Sequence, residues 1–552
     1  MAISKKIKYT LLITLIVIVA TVYFGANTFI RYKLESKLSE LINTSDNILY
    51  DYSLGDFSIE LVSGTIKLSD ISVQPTEFAL NSVKNIEDDL RMVGDFTIEE
   101  ILFEEFEIET FFKTGKIELK QFRLINPSFT VLHNAEKHKA DTTTVLTSTL
   151  SDKFISAYLG ILKIENANLT IKEINETGAD LVIENINIEL TESYVDPETI
   201  KKPFPFDFKN ISAFSSGLFM DISDRYEIKS QNISFDIQSN SFEIDSFKLI
   251  PKYTHKELEK LNKFNIGEYQ FDAEKLLIEG LDFEKFKYNG EIHIKSAKLM
   301  NSHLVLYNNK NKPFPPKKEK ILWATALRNI PLAFTIDTLI MDSANINIHE
   351  KSKQTKRVSN LFFEDMNVAI TGISTDTNIT KENNFMLVKA STKILGKGKA
   401  KFNMKIDLTS KNDDYWVNGT VKRLKATTFN QVLNPLFNVN IIAGEIQYVS
   451  FHYYANNDYS KGKMDMEYTH LKMELYSQKD TKKKNRFSSM LVNTVIKQNN
   501  VKRKKSYKQG VIYTERNKNK SSFNYLWKSI MSGIVTTLVP DRVLKKMNKK
   551  KK

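Results

Sequence analysis

Apolar and polar residues alternate along most of the chain. Clear runs are Gly64-Thr-Ile-Lys-Leu68, Lys116-Ile-Glu-Leu-Lys120, Ile233-Ser-Phe-Asp-Ile237 and Ala344-Asn-Ile-Asn-Ile348. A period of two, rich in Ile, Phe and Val, predicts half-buried β-strands. Helical spacing is confined to short pieces: Arg31–Ile42, His255–Asn262, Ile321–Leu327, Thr428–Phe437 and Ser488–Gln498, with one more near the C-terminus.

A finer pattern recurs, with apolar residues at spacings of two, three and two. It occurs at Ile66/Leu68/Ile71/Val73, Phe96/Ile98/Ile101/Phe103, Ile117/Leu119/Phe122/Leu124 and Leu162/Ile164/Ala167/Leu169. It returns at Phe242/Ile244/Phe247/Leu249, Leu276/Ile278/Leu281/Phe283, Ile292/Ile294/Ala297/Leu299 and Leu339/Met341/Ala344/Ile346. Side chains flip faces at every strand residue, so the odd spacing should throw the second half outward. One extra residue at a bulge restores the face and bends the strand. Hairpins with turns at those gaps are the alternative. The irregular starts argue against a strict sequence repeat. Pro75, Pro127 and Pro251 follow three of these segments and should limit strands at their ends. The expected fold is mostly β: an elongated, curved or twisted antiparallel sheet forming an apolar groove, with one N-terminal transmembrane helix and a few short helices. Ile66, Leu68, Ile117, Leu119, Phe242 and Ile244 are expected to line the groove.

Tyr9 to Ile30 carries no charge and is dense in Leu, Ile and Val. At about 1.5 Å per residue it is long enough to cross a bilayer. Lys5, Lys6 and Lys8 precede it, which favours an uncleaved anchor with the body translocated. A cleaved signal peptide is the alternative, but its candidate sites, Ile18/Ala20 and Phe24/Ala26, are poor.

The net charge of +13 is unevenly placed. Residues 481–552 hold 21 Lys and Arg against Glu515 and Asp541, a net +19, leaving −6 for the rest. A localised basic end favours an anionic surface. Within it, Phe523, Leu526, Trp527, Ile530, Met531, Ile534 and Leu538 follow helical spacing, Pro540 stops the run, and Lys545, Lys546 and Lys549–Lys552 follow. An amphipathic helix with a basic flank suits a membrane surface. It suits equally a cap over the sheet's open edge, or a partner. The chain thus reads as an anchor (1–30), a β-rich body (31–480) and a basic region with an amphipathic helix (481–552).

Catalytic chemistry finds little support. Cysteine is absent, which excludes disulfides, thiolate metal sites and thiol nucleophiles. No phosphate-binding loop, nucleophile elbow or H-E-x-x-H is present. Gly396-Lys-Gly398 reads as a turn before a strand, His133 and His138 as surface residues flanking a polar loop, and Glu104-Glu105 as solvated charges. No catalytic residue, metal or cofactor is expected. The basic end lacks a recognition fold for nucleic acid.

Several segments resemble one family. An N-terminal span leads into Leu49-Tyr-Asp-Tyr-Ser-Leu-Gly55, Gly64-Thr-Ile-Lys-Leu68 and Pro75, followed by Ile117-Glu-Leu-Lys-Gln-Phe-Arg-Leu-Ile-Asn-Pro127 and Leu162-Lys-Ile-Glu-Asn-Ala-Asn-Leu-Thr-Ile171. Later come Gly396-Lys-Gly398, Gly444 and Tyr468-Thr-His-Leu-Lys-Met473. Together they resemble AsmA-like proteins of the diderm bacterial envelope, relatives of TamB and the repeating-β-groove lipid transfer proteins. The resemblance runs from the anchor to about residue 500 and rests on loose strand-and-turn patterns. It implies an inner-membrane anchor, a periplasmic groove, phospholipids as cargo, outer-membrane or envelope proteins as further partners, and a role in phospholipid transport or outer-membrane biogenesis. A non-transporting scaffold or regulator of outer-membrane protein assembly is the competing class.

Overall fold

The computed structural model describes residues 49–544, apart from 61–62, 108–109, 111–112, 115, 137–155, 177, 179, 200–205, 317–318, 377–380, 382 and 477–495. The expected anchor, the helix over Arg31–Ile42, most of Ser488–Gln498, His138 and the terminal lysines lie outside the described residues. The described chain is mostly β, with 21 strands and a few short helices. It divides into two units: residues 1–246 with 287–290, and residues 247–286 with 291–552.

The first unit holds β1 (Tyr50–Leu54), β2 (Phe57–Glu60), β3 (Thr65–Pro75), β4 (Met92–Phe106), β5 (Ile117–Ile125), β6 (Ser128–His133), β7 (Ala157–Glu173), β8 (Leu181–Val195), β9 (Asn210–Asp221) and β10 (Tyr226–Asp236). Helix α1 (Glu77–Lys84) follows β3 and is capped by Thr76, whose side chain accepts from the Ala79 N–H. The unit boundary falls inside β11 (Ser241–Pro251). The second unit holds α2 (His255–Leu261), β12 (Glu268–Leu281), most of α3 (Phe283–Asn289), β13 (Ile292–Asn309), α4 (Trp323–Arg328), β14 (Phe334–Lys351) and β15 (Val358–Ser374). It continues with β16 (Phe385–Ile394), β17 (Gly398–Asp407), β18 (Tyr415–Lys425), a 3-10 turn (Ala426–Phe429), α5 (Asn430–Phe437), β19 (Val439–Ala455), β20 (Tyr459–Leu475), β21 (Gly510–Glu515) and α6 (Ser522–Leu538).

One expectation needs correction. The pairing is not purely antiparallel: β7 runs parallel to both β5 and β6, and β14 runs parallel to β13. Pro127 limits β5 as expected, but only as a short break. β5 and β6 lie end to end along the same two neighbours, β4 and β7, with Asn126-Pro127 as the break between them. Proline lacks an N–H but still offers its carbonyl, which accepts from Asn168.

The two-three-two spacing has a backbone cause. In five of the eight segments the residue just before the third apolar position is left-handed: Asp70, Asn166, Ser246, Gly280 and Ser343, with φ between 49° and 69°. That inserted residue turns the strand so that the following apolar side chain regains its face. Asn, Asp and Gly tolerate this conformation best, and the same device recurs at Asn185 and Asp365.

The freed backbone groups at these bends are met by asparagine. The Asn166 N–H donates to Asn187 Oδ1, while the Asn185 N–H donates to Asn168 Oδ1, a reciprocal clasp between β7 and β8. The same clasp joins β14 and β15, where the Ser343 and Asp365 N–H groups donate to Asn367 and Asn345. Each partner has a left-handed residue, one apolar residue, then Asn: Asn166-Ala-Asn168, Asn185-Ile-Asn187, Ser343-Ala-Asn345 and Asp365-Met-Asn367. Both clasped pairs also begin with a strand joined in parallel to its predecessor. Each unit therefore carries one copy of the same module, a repeat of pairing that spacing alone did not expose.

Candidate functional site

In the second unit, β12 to β15 align apolar residues in five rows across one face. The rows are Leu281–Ile294–Ile336–Ile373, Ile278–Ala297–Leu339–Ile370, Leu276–Leu299–Met341–Val368, Phe271–Leu304–Ile346–Phe363 and Tyr269–Leu306–Ile348–Leu361. They continue across the bend at Gly280 and Ser343, where the left-handed residue keeps the face constant. The opposite face is mixed, with rows such as Leu277–Lys298–Ile340–Ala369 and Gln270–Val305–Asn347–Phe362. That mixed face carries ion pairs, as between Lys298 and Asp342.

Most of the apolar row residues are half-buried. Packing of β12–β14 comes chiefly from neighbouring strands. At one end Glu259 of α2 ties the helix to the strands, accepting from Tyr307 Oη at 2.7 Å and Asn309 Nδ2 at 2.9 Å and pairing with Lys351 Nζ at 2.9 Å. Partial burial alone would raise the Glu259 carboxyl. The bonds from Tyr307 and Lys351 and the charges of Lys351 and Lys312 outweigh it, and hold the group below the usual carboxylate range. The result is an apolar wall with a polar margin, suited chemically to alkyl chains rather than to bond making.

The inner face of β17–β21 differs. Ile406, Tyr415, Val417, Met464 and Ile512 are at most 1% exposed. Trp323 and Leu327 of α4, Leu433 of α5, and Leu526, Ile530, Ile534 and Leu538 of α6 pack against this cluster. α6 also closes the edge of β21. The Val511 N–H donates to Thr536 Oγ1 at 2.9 Å, and the Tyr513 N–H donates to Ser532 Oγ at 3.1 Å. Two hydroxyls four apart on the helix thus take the place of a further strand, and the edge is not left as a template for aggregation.

The structure places the residues expected to line a groove in two settings. Ile66, Leu68, Ile117 and Leu119 are 1–5% exposed, inside a packed cluster of the first unit with Phe103 and Phe122. Phe242 and Ile244 are half-buried on β11. On α6, Leu526, Ile530 and Ile534 face the closed core, Met531 is half-buried, and Phe523 and Trp527 are 74% and 45% exposed. The β12–β15 rows were not singled out from the sequence as lining residues, although Leu276, Ile294, Leu299, Met341 and Ile346 carry the recurrent spacing. His133 is not a free surface group: Nε2 lies 2.5 Å from Asp180 and Nδ1 3.4 Å from Glu173. Among the described residues no group of three or more His, Cys, Asp or Glu could hold a metal ion, and no helix is long and apolar enough to cross a membrane. No protein-family model matches the chain, and no curated protein matches it.

Proposed function

We propose that this is a membrane-anchored envelope protein that carries phospholipid along an apolar sheet face, in the manner of the AsmA-like family it resembles. The observation that carries the reading is the set of five in-register apolar rows on β12–β15, most of whose residues are half-exposed, with only Ile336, Leu339, Ile370 and Ile373 at one end joining the closed core. Such a wall would hold acyl chains while headgroups stay in water. Each sequestered CH₂ contributes about 0.8 kcal/mol, so a path of this kind removes the main cost of moving lipid through water. No catalytic residue or cofactor enters the reading. The anchor at Tyr9–Ile30 would sit in the inner membrane, with the body in the periplasm.

The scaffold reading has one observation in its favour: β17–β21 fill their inner face with the chain's own helices. Native mass spectrometry of the full chain released from gentle detergent separates the two. Co-purified phospholipid, lost on Leu299→Asp with the fold retained, is the outcome expected of a carrier. A lipid-free chain that still retains envelope proteins is the outcome expected of a scaffold.

A further inference from the structure

The face of β16–β21 turned away from the closed core has its own order. Five rings run across it in sequence: Phe385 to Trp416 at 6.3 Å, Trp416 to Tyr454 at 5.8 Å, Tyr454 to Tyr459 at 6.2 Å and Tyr459 to Tyr513 at 6.4 Å between centroids. β17 supplies no ring to this stripe. There Lys405 Nζ sits 3.5 Å from the Phe385 centroid and 5.8 Å from that of Trp416. Lys401, Lys461 and Lys463 flank the stripe, exposed, and none of the ion pairs among the described residues includes them. The nearby acids have their own partners: Asp465 accepts from Tyr507 and Gln509, Asp414 from Tyr454, and Asp458 pairs with Lys518. Lys401, Lys405, Lys461 and Lys463 outnumber these carboxylates, so the face keeps a positive excess. A shallow depression opens between Trp416, Asn418, His452, Tyr454, Lys461 and Lys463. Gly462 forms part of its floor.

We propose that this outer face docks on an anionic lipid surface, with its rings at headgroup level and its lysines over the phosphates. Tyr and Trp are amphipathic, apolar in the body and polar at the tip, which suits the boundary between chains and water. Lysine supplies point charges for a diffuse anionic surface, where a planar bidentate site would call for arginine. Six strands at about 4.8 Å spacing make the face about 24 Å wide, wide enough to meet several headgroups together. Single-stranded nucleic acid fits less well. Base stacking uses accessible ring faces, whereas the first three ring pairs are inclined at 72°, 53° and 66° to one another. The proposal concerns the face opposite the lipid-carrying rows and stands whether or not those rows carry lipid.

The test uses the full chain held in neutral phosphatidylcholine nanodiscs and measures capture of free vesicles. Vesicles containing phosphatidylglycerol are expected to bind, and pure phosphatidylcholine vesicles to bind far less. Each lysine close to an anionic surface contributes roughly fivefold in affinity, so K401Q/K461Q/K463Q should weaken capture on the order of 100-fold at low salt and much less at high salt. Trp416→Ser with Tyr513→Ser should weaken capture at both salt concentrations. These side chains point outward, so unchanged thermal melting is the control for folding. Equal capture of neutral and anionic vesicles overturns the proposal. So does an unchanged triple variant, with all capture instead lost on replacing the terminal lysines by Gln. Preferential binding of an oligonucleotide over the vesicles overturns it in favour of nucleic acid.

Discussion

Within the second unit, β12–β15 and β17–β21 are written in the same alternating code and come to opposite ends. Both have one apolar face and one polar or mixed face. In β17–β21 three helices cover the apolar face, and its largest side chains are almost wholly buried. In β12–β15 the rows through Leu299, Leu304 and Leu306 stay mostly half-exposed, while Ile336, Leu339, Ile370 and Ile373 run into the closed core. An apolar sheet face is therefore not by itself a core or a groove. What decides is whether the intervening sequence supplies a cover, as Trp323–Arg328, Asn430–Phe437 and Ser522–Leu538 do.

The largest effect expected separates the two regions by one charge. Ile406→Asp places a carboxylate in the closed core, where an unpaired charge costs several kcal/mol. Circular dichroism and thermal melting should show the second unit unfolded. Leu299→Asp puts the same group on the half-exposed rows, where it can reach water. There the fold should survive, with a loss of no more than about 1–2 kcal/mol and with bound lipid gone. Equal destabilisation by the two substitutions would erase the contrast.

Next in size are truncations and clasps. Met464→Ala, at a site that is 0% exposed, should cost about 2–5 kcal/mol, against about 1–2 kcal/mol for Leu299→Ala. Asn345→Ala leaves the Asp365 N–H without its acceptor and should cost about 1–2 kcal/mol in denaturant melts. If the two bonds act as one clasp, adding Asn367→Ala should cost less than the sum of the single changes. Strict additivity would mean two independent surface bonds.

A smaller effect lies in acid. The Glu259 carboxyl is held below its ordinary range by Tyr307, Lys351 and Lys312. Its contribution is therefore present above the unfolded value of about 4.3 and lost as pH falls through the lower folded value. Glu259→Gln should lower the neutral plateau of melting temperature and leave the value near pH 3 almost unchanged, so that the acid-side fall between about pH 5 and pH 3 is flatter. The smallest change is expected at Tyr453, whose buried hydroxyl has no hydrogen-bond partner among the described residues and is pushed up in pKa by burial. Tyr453→Phe should be neutral or stabilise by up to about 1 kcal/mol. A clear loss of stability would reveal a partner for that hydroxyl.

These contrasts mark what could be read from the chain beforehand. Alternation revealed the β class, because side-chain direction in a strand is local. The two-three-two spacing revealed the bends for the same reason, as Asp70, Asn166 and Ser343 now explain. The helices at His255 and Ser522 were visible through their own periodicity. α1 was not picked out, and α3 was hidden because its first residue, Phe283, completes the two-three-two spacing of β12. Parallel joining of β13 to β14 depends on where the chain goes between Lys310 and Ala333, which strand pattern does not encode. The cover over β17–β21 was equally invisible, since it depends on which helix folds back onto which strand. For this reason Ile66, Leu68, Ile117 and Leu119 could be recognised as inward-facing but not as enclosed.

The carrier reading comes down to whether lipid touches the rows of β12–β15. A photo-crosslinking amino acid placed at Leu299 and at Ile346, with a third copy of the chain carrying it at Lys298 on the opposite face, answers this directly. After irradiation in envelope membranes, mass spectrometry of the full chain should find phospholipid adducts at Leu299 and Ile346 and none at Lys298. No adduct at either row position, or equal adduct at all three, would contradict the carrier account.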